Sequence, residues 1–481
     1  MAKNILPHGA YQAASLIANA QRCINLYVEK NPDDAPFPTT HYPMPGLRLI
    51  GQTPNGGVVR CIYRDTKQNV WVVSASNVYL ASYSPVAGLT FTLIGSLNTI
   101  RGPVSMQDNG TTIVIVDGTN DGFTIDIASQ SFNGLYDPAF YGSQLIDIID
   151  GFMLFVWPGN GEMYITGENA ITFDATDFTA KTGFPDQLQV AVAVHHEIWL
   201  LGVDTTEVWF NAGGATFPFQ RIPGVFVQHG VAANYSVCHN DNFLFWIGRD
   251  PQGQAVAYLG SNYQAVRVSH SAIENEWQQY STVADAQGYC FQLRGHVLFV
   301  VTFPSADTTW VYDMTSNEWS EWLWRDDQGA LHRHRSNCYC EGFGLHMVGD
   351  WQNGNIYALD PTVHTDNGDP IYYLRSFPHV IDTDNNARIA FSRFVAAMET
   401  GQGFQDGSGA APLVNLRWSD DGGNSWSQTM QQQLGAEGVY RRNVQFRRLG
   451  MGRDRVWEIS WAASVRTALN GAFSDYRLGR N

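Results

Sequence analysis

Residues 293–324 hold a run of short strands and turns that constrains the fold more than any other stretch. The sequence there is LRGHVLFVVTFPSADTTWVYDMTSNEWSEWLW. An apolar run at 297–302 is followed by segments at 309–313 and 319–324, in which aromatic and polar residues alternate. The turn-forming stretches PSADT and MTSN separate them. The pattern predicts an antiparallel meander, which needs similar neighbours to bury both of its faces.

Similar units recur along the chain, each an apolar strand followed by a strand that carries an aromatic residue. The apolar strands are predicted at 70–74, 112–117, 152–157, 197–201, 242–247, 297–302 and 346–350. They start about 40 to 55 residues apart, a spacing typical of four-stranded propeller blades. We therefore predict an all-β chain with a β-propeller of six or seven blades, with these apolar strands equivalent and innermost. An irregular array of β-sandwiches is the alternative.

Charge is distributed unevenly along the chain. The formal net charge is −16, yet residues 431–481 contain nine arginines and only four acidic residues. An acidic body argues against tight wrapping of nucleic acid, because phosphate contacts need cations. It is compatible with a passage through which DNA slides without sticking. Charged residues make up only 15% of the chain, which favours burial of surface against other subunits, with a large core as the alternative.

The cysteines and the start of the chain bear on where the protein is made. Six cysteines are spread without the spacing of a disulfide framework. The first residues, MAKNILPHG, lack the apolar segment of a signal peptide, and no run approaches the roughly 20 apolar residues of a membrane helix. We expect synthesis in a reducing cytoplasm, free thiols, no membrane insertion and no cofactor.

Three regions are predicted from composition. Residues 1–48 contain five prolines between positions 32 and 45, which favour an extended arm lying on the propeller or on a neighbouring subunit. Residues 49–375 hold the propeller units. Residues 376–481 are predicted to form a small C-terminal domain resembling a β-sandwich, with a basic segment near its end.

Two motifs in the arm carry a family resemblance. Residues 22–29 read RCINLYVE, with Asn25, Leu26 and Tyr27 at the centre, and a proline-rich stretch then ends in PGL at 45–47. This start, together with the general layout, resembles the packaged-DNA stabilisation proteins of short-tailed bacteriophages, also called tail hubs or tail nozzles. In that family an NLY segment and a PGL turn precede a β-propeller.

The resemblance implies a structural virion protein of the phage tail that is made in the host cytoplasm and is not an enzyme. It implies a hexamer below the portal and its adaptor protein, which closes the DNA exit channel and retains packaged DNA. It further implies that the ring carries a tail tip, needle or fibre, and that DNA passes without sequence readout. The alternative functions are a propeller glycosidase and a carbohydrate-binding protein.

The C-terminal region contains one turn motif. Ser419, Asp421, Gly423 and Trp426 fit the Asp-box pattern S-x-D-x-G-x-x-W. In this pattern the Ser and Asp side chains accept hydrogen bonds from backbone amides of a hairpin turn, and glycine takes a positive φ. A single copy outside the blades predicts a structural role.

Residue types suited to a zinc site occur close together. His332, His334, Cys338 and Cys340 have the right chemistry for a tetrahedral ion. However, the spacings H-x-H and C-x-C are those of residues on one face of a strand. We therefore predict no metal site.

Catalytic acids for glycoside hydrolysis must face each other across a few ångströms. Glu197 and Glu207 lie near strand starts in one unit, but nothing in the sequence brings them together. His195, His196 and His239 precede apolar strands and are predicted to be turn residues. We predict no catalytic residues.

Four arginines are the strongest candidates for a contact surface. Arg441, Arg442, Arg447 and Arg448 flank the short segment NVQF. We predict that they bind the acidic body of a neighbouring subunit or the adaptor, in preference to DNA in the channel. A solvated strand edge protected by charge is the remaining interpretation. Asn25, Leu26 and Tyr27 are predicted to take part in the same kind of contact.

Overall fold

The computed structural model describes residues 3–479, apart from residues 8, 215–216, 241, 251 and 404–411. In this part of the chain the only α-helix is α1 (Ser271–Trp277), accompanied by two single turns of 3-10 helix at Asn234–Ser236 and Pro304–Ala306. No helix of the described residues has the length and apolar character needed to cross a bilayer.

Five strands precede the first complete blade. They are β1 (Lys3–Asn4), β2 (Cys23–Ile24), β3 (Leu26–Lys30), β4 (Thr39–Pro43) and β5 (Gly46–Gln52). Apart from the hairpin of β3 with β4, they pair with strands from distant parts of the chain.

The next sixteen strands form four antiparallel sheets of four strands, each a continuous meander. Blade 1 contains β6 (Val59–Arg64), β7 (Val70–Ser74), β8 (Asn77–Ser84) and β9 (Gly88–Ser96). Blade 2 contains β10 (Ser105–Asp108), β11 (Thr112–Val116), β12 (Gly122–Asp126) and β13 (Phe132–Gly134). Blade 3 contains β14 (Ile146–Ile149), β15 (Phe152–Val156), β16 (Met163–Thr166) and β17 (Phe173–Thr179). Blade 4 contains β18 (Leu188–Val194), β19 (Glu197–Gly202), β20 (Thr206–Asn211) and β21 (Phe219–Arg221).

Three further blades complete the propeller. Blade 5 contains β22 (Cys238–Asn240), β23 (Phe243–Arg249), β24 (Ala255–Ser261) and β25 (Gln264–Arg267). Blade 6 contains β26 (Gln287–Leu293), β27 (His296–Phe303), β28 (Thr308–Asp313) and β29 (Glu318–Glu321). A hairpin of β30 (Leu323–Arg325) and β31 (Leu331–Arg333) leads to blade 7, whose own strands are β32 (Ser336–Gly342), β33 (Leu345–Asp350) and β34 (Asn355–Asp360).

The fourth strand of blade 7 is β5, from the other end of the propeller sequence. It pairs antiparallel with β34, from Gly46 opposite Asp360 to Gln52 opposite Asn355. Gly46 is required at this point, because a Cβ atom would lie 2.4 Å from the carbonyl oxygen of Val363. The propeller therefore has seven blades, and its ring is closed by hydrogen bonds between the two ends of the propeller sequence.

Tight turns connect the first and second strands of several blades. The pairs Asp150-Gly151, His195-His196 and Arg294-Gly295 all have positive φ at both residues. Two such residues between antiparallel strands are typical of a type I′ turn, whose twist matches that of the strands. The turn positions predicted for His195 and His196 are confirmed, whereas His239 lies within β22.

The apolar strands predicted from the sequence are the second strands of the seven blades. Within them, Val70, Ile113, Leu154, Ile198 and Leu298 are fully buried. The prediction that these apolar strands are innermost is wrong. Residues of the first strands of blades 2 to 7 line a cavity of about 390 Å³ at the centre of the ring. Each second strand pairs with the first and third strands of its own blade, and its two faces pack against the neighbouring blades. This burial on all sides explains the continuous apolar sequence.

The remaining strands form a β-sandwich together with the N-terminal strands. They are β35 (Thr365–Asp366), β36 (Asp369–Ser376), β37 (Val380–Ile381), β38 (Ile389–Met398), β39 (Leu413–Ser419), β40 (Met430–Gln433), β41 (Val444–Arg447), β42 (Met451–Gly452), β43 (Asp454–Ala463) and β44 (Leu469–Leu478). One sheet has the order β3-β4-β44-β38-β41, and the other contains β40, β39, β43 and β36 in sequence. Between them pack Phe391, Phe394, Trp457 and Trp461.

The N-terminal segment is more regular than the predicted extended arm. The hairpin of β3 and β4 joins the sandwich sheet through a pairing of His41 with Leu469. Prolines did not prevent this, because Pro43 ends a strand and Pro36 and Pro38 lie in the connection between the two strands. Residues of the segment therefore contact another element, as expected, and that element belongs to the same chain.

The junction between propeller and sandwich is built from β2, β35 and β36. Strand β2 pairs in parallel with β29 of blade 6 and antiparallel with β36 of the sandwich. Strand β35 pairs in parallel with β5 of blade 7 and antiparallel with β36. The domain boundaries at 48 and 375 stay predictions, but the pairing of β36 with β43 gives the sandwich a strand that begins before residue 376.

Candidate interaction surfaces

The predicted arginine cluster lies at the edge of the sandwich sheet that contains β38, β41 and β44. Arg441 and Arg442 precede β41, while Arg447 and Arg448 lie at and just beyond its end. All four side chains are exposed. Among the described residues none of the four forms an ion pair. We call these four residues the basic edge.

The surroundings of Arg447 show why the charge of the basic edge is not neutralised by the described residues of the sandwich. It lies directly opposite Arg393 in the pairing of β41 with β38. Like charges in this position repel each other. Arg393 is neutralised by Asp475 of β44, with 2.7 Å between Nε and Oδ2, and no acidic side chain of the described sandwich performs this role for Arg447.

Apolar side chains accompany the basic edge. Tyr440 is 68% exposed and Val439 is 43% exposed, immediately before Arg441. Met451, on the neighbouring β42, is also exposed. Arginine, tyrosine and methionine are enriched in protein interfaces, so this composition favours a protein contact over a purely solvated strand edge.

Arg455 belongs to the same stretch of sequence but has a different role. Its side chain is 1% exposed and donates two hydrogen bonds to Asp420, at 2.6 and 2.7 Å. The guanidinium also lies over the rings of Phe391 and Trp418. Arg455 therefore holds the sandwich together, and sequence spacing alone could not separate it from the exposed arginines.

Blades 2 to 4 form the most acidic part of the chain. Residues 105–221 contain 15 acidic residues and only two basic ones, Lys181 and Arg221. Lys181 is buried in an ion pair with Asp186 and adds no positive surface. Asp121, Asp174 and Glu168 are exposed. This region, which we call the acidic blades, is opposite in charge to the basic edge.

The NLY motif is buried inside the chain. Asn25, Leu26 and Tyr27 are 1%, 0% and 7% exposed. Asn25 Nδ2 donates hydrogen bonds of 2.8 Å to the carbonyl oxygens of Leu323 and Tyr372. The predicted contact of this motif with another subunit stays a prediction, and this burial does not support it.

The Asp-box residues form a hydrogen-bonded turn after β39. Ser419 Oγ accepts a hydrogen bond from Gly423 N at 2.7 Å, and Asp421 Oδ1 accepts one from Ser425 N at 2.8 Å. Hydrogen bonds from the Ser419 and Ser425 hydroxyls and from Ser425 N lower the pKa of Asp421 to about 2. Gly423 has a φ of 102°, and the guanidinium of Arg417 lies over the Trp426 ring. The arrangement stabilises the turn.

The histidines and cysteines considered for zinc have separate surroundings. His332 contacts Asp307 and Asp326 with its two ring nitrogens, and these carboxylates raise its pKa. His334 is fully buried, and its Nδ1 lies 2.7 Å from Ser336 Oγ. Across the residues described, no group of three or more histidine, cysteine, aspartate or glutamate side chains could hold a metal ion.

The two acids considered for catalysis are also separate. Glu207 is fully buried and accepts hydrogen bonds from Gly183 N and Trp209 Nε1, at 2.6 and 3.0 Å. Glu197 lies at the start of β19 and contacts the hydroxyl of Tyr263. Glu207 thus stabilises a loop of blade 4, and the pair does not form a facing set of carboxylates.

The cavity at the centre of the propeller is lined by residues of the first strands of blades 2 to 7. Asp147 and His239 lie across it on blades 3 and 5. Burial raises the pKa of Asp147, an effect that His239 and a hydrogen bond from Ala193 N oppose. Its volume of about 390 Å³ is in the range of small-molecule pockets.

The described residues thus form a seven-bladed propeller joined through shared strands to a β-sandwich, with an acidic region on the propeller and an exposed basic edge on the sandwich. Family models agree with both parts. A β-propeller model described as Bacteriophage P22 Gp10 matches residues 39–364, and a β-sandwich model of the same description matches residues 377–475. The chain belongs to this family of packaged-DNA stabilisation proteins and is a structural component of a phage tail.

Other comparisons are more distant. Similar solved structures include the WD40 β-propeller domain of Doa1, at 11% identity and a TM-score of 0.42 over 66% of this chain and 98% of that chain. Streptogramin B lyase matches at 10% identity and a TM-score of 0.44, over 65% and 97%. Both scores are too low to support a conclusion about function. No curated protein matches the chain.

Proposed function

We propose that this protein is the tail hub, or nozzle, that closes the DNA exit below the portal and its adaptor and retains the packaged DNA. The proposal rests on the family membership and on one observation: the basic edge has no ion-pair partner among the described residues of its own chain. A cationic surface left unpaired in this way is suited to a second protein surface of opposite charge.

The charge distribution favours a ring of copies of this chain. The basic edge and the acidic blades lie on different parts of the molecule. When one copy binds its neighbour through two different surfaces, the contact is head-to-tail, and a suitable rotation closes the assembly into a ring. Complementary charge fixes the register of such a contact and speeds encounter. The expected ring has six copies.

The DNA passage in this proposal lies between the copies. A cavity of about 390 Å³ at the propeller axis supports a channel that is lined by outer surfaces of the subunits and not by the propeller centre. An acidic lining would bind phosphates weakly, because it offers no cations to replace the counterions of DNA. DNA could then leave without sequence readout when the ring opens.

The ring would make its other contacts with the adaptor above it and with a tail tip, needle or fibre below. We propose that the protein acts without catalysis, metal or cofactor and is made in the host cytoplasm before incorporation in the virion. The separation of Glu197 from Glu207 gives no support to a glycosidase.

Charge reversal at the basic edge tests the proposal. Arg441, Arg442, Arg447 and Arg448 are replaced together by glutamate, and the purified variant is examined by light scattering and electron microscopy. We expect a folded monomer that no longer forms rings or docks on the adaptor.

The matched control reverses four exposed cations of the propeller, Arg64, Lys67, Arg101 and Arg249, which gives the same change in net charge. This control should assemble normally. If the basic-edge variant forms rings and docks as well as the control, the assignment of this surface is wrong. If it assembles but the virions lose their DNA, the arginines face the channel.

A further inference from the structure

A second cavity lies where the N-terminal segment crosses helix α1 and blade 6. Its volume is about 250 Å³. The residues that matter for its chemistry are Gln21, Arg22, His270, Glu276, Trp310 and Glu321. The cavity is separate from the basic edge, the acidic blades and the centre of the propeller.

The walls of this cavity are fixed by hydrogen bonds and ring contacts. Arg22 donates to both carboxylate oxygens of Glu321, at 2.7 and 2.6 Å. The Tyr11 ring stacks on His270 with 4.9 Å between centroids, and its hydroxyl lies 2.9 Å from Ser271 Oγ. These contacts hold the N-terminal segment against α1, so the cavity is a built feature of the fold.

The cavity presents hydrogen-bond acceptors that have no donor. Gln21 is only 8% exposed, and its Oε1 atom has no hydrogen-bond partner among the described residues. Nδ1 of His270 is likewise buried without a partner. Burial lowers the pKa of His270, an effect that Glu274 and the backbone groups of Ala10 and His270 oppose. A neutral imidazole has one ring nitrogen that presents a lone pair. A buried acceptor without a donor costs free energy until a ligand supplies one.

The cavity also has an excess of negative charge, because two carboxylates, Glu276 and Glu321, and one cation, Arg22, line it. Glu276 is exposed to solvent and lines the cavity, and its carboxylate accepts no hydrogen bond from any described residue. The cation on the cavity wall, Arg22, donates its two side-chain hydrogen bonds to Glu321 and none to Glu276 among the described residues. Partial burial of the carboxylate and the Glu321 charge raise the pKa of Glu276, and the Arg22 guanidinium opposes them.

We propose that this cavity binds a guanidinium group, with Glu276 as its counterion and Gln21 Oε1 and His270 Nδ1 as further acceptors. A guanidinium offers five donors in a planar fork, which suits several acceptors better than an ammonium does. The Trp310 indole, oriented by its hydrogen bond to Tyr280 at 3.1 Å, provides an aromatic wall for a cation. Ala272 and Ile273 supply apolar surface for the attached methylene chain.

The test uses the full chain labelled with 5-fluorotryptophan and the probe N-acetyl-arginine amide. The fluorine signal of Trp310 is assigned with a Trp310→Phe variant. We expect a saturable shift of this signal with the arginine probe and none with N-acetyl-citrulline amide, which has the same shape without the charge. Glu276→Gln should weaken binding about tenfold, which corresponds to about 1.4 kcal/mol.

The control variant Glu168→Gln removes an exposed carboxylate of blade 3 and should leave the titration unchanged. Glu276 is exposed, so its replacement is compatible with folding, and circular dichroism verifies this. Equal binding of the citrulline probe, an unchanged titration with Glu276→Gln, or no saturable shift with the arginine probe would overturn the proposal.

A guanidinium can come from a protein or from a small molecule, and two further probes separate these sources. Binding of the capped peptide Gly-Gly-Arg-Gly-Gly as tightly as the arginine probe would assign the site to an arginine side chain of a protein. Binding of agmatine with exclusion of the peptide would assign it to a free cation. These titrations use the unassembled chain and therefore do not depend on ring formation.

Discussion

At the scale of single residues, Asn25 explains why the N-terminal motif has its particular sequence. Its φ of 59° lies in the left-handed region, which asparagine tolerates better than most residues. Its amide nitrogen binds two carbonyl oxygens, and its Oδ1 accepts a hydrogen bond of 2.7 Å from Leu323 N. Glycine would satisfy the backbone but not these three hydrogen bonds. Asn25 therefore joins the N-terminal segment, strand β30 and the sandwich.

Replacement of Asn25 by aspartate tests this role. The change preserves shape but removes both donors and places a carboxylate against two carbonyl oxygens. We expect the free energy of unfolding to fall by about 3 kcal/mol, as for a buried group left with unpaired polar partners. Urea denaturation measures the change. Asn133→Asp, at an exposed position of β13, is the control and should have little effect; equal stability of the two variants would contradict the assignment.

His334 makes stability depend on pH. Burial, and to a lesser extent Arg335, lowers its pKa to about 3. The unfolded chain therefore binds a proton at this histidine between about pH 6.5 and pH 3, while the folded chain does not. Above pH 6.5 His334 does not lower the free energy of unfolding. As the pH falls from 6.5 towards 3, protonation of His334 in the unfolded chain lowers the free energy of unfolding by up to about 1.4 kcal/mol per pH unit.

The measurement compares urea unfolding of the parent chain and of His334→Gln at pH 7, 6 and 5. Other groups titrate in both proteins, so the difference between the two slopes reports His334 alone. We expect the variant to be less stable at pH 7 but to lose less stability on acidification. Parallel slopes would show that His334 is protonated in the folded chain.

At the scale of secondary-structure elements, the sequence predicts only the strands whose surroundings are uniform. The second strand of each blade is covered on both sides and both faces, so β15 and β23 read as unbroken apolar runs. First strands such as β10 and β22 face the central cavity and mix polar with apolar residues. The pairing of β5 with β34 joins positions about 300 residues apart, and no local pattern encodes it.

The N-terminal strands lead to a prediction about truncation. Removing residues 1–45 deletes β1 to β4 but leaves β5 in blade 7. The sandwich then loses the hairpin beside β44, and β36 loses β2 as its partner. We expect the sandwich to become sensitive to proteolysis while the seven blades remain folded. All pairs between blade strands are retained, and blade 6 loses only the pairing of β29 with β2.

Limited proteolysis with mass spectrometry follows both parts of the truncated chain. The control lacks only residues 1–7, which include no more than the two-residue strand β1, and its sandwich should resist the protease. A sandwich that stays protected after removal of residues 1–45 would show that its own strands suffice, and the segment would then be free to serve assembly.

At the scale of the whole molecule, the contrast in charge could be predicted from the sequence but its placement could not. The excess of arginine after residue 431 is evident in the composition. The fold then buries Arg455 against Asp420 and pairs Arg393 with Asp475. The described residues provide no ion-pair partner for the basic edge. The sequence also gave no sign of the cavity beside α1, because its residues come from positions 10 to 321 and meet only through folding.

The last prediction concerns the effect of salt on assembly. If rings form through the basic edge and the acidic blades, the contact depends on partly exposed charges that salt screens. The Debye length is about 10 Å at 0.1 M ionic strength and about 3 Å at 1 M. Raising sodium chloride across this range should therefore shift the purified protein from rings to monomers in light scattering. An apolar contact would respond in the opposite direction, because salts such as sulfate strengthen hydrophobic burial. Rings that persist in 1 M sodium chloride and grow more stable in sulfate would contradict the ionic contact.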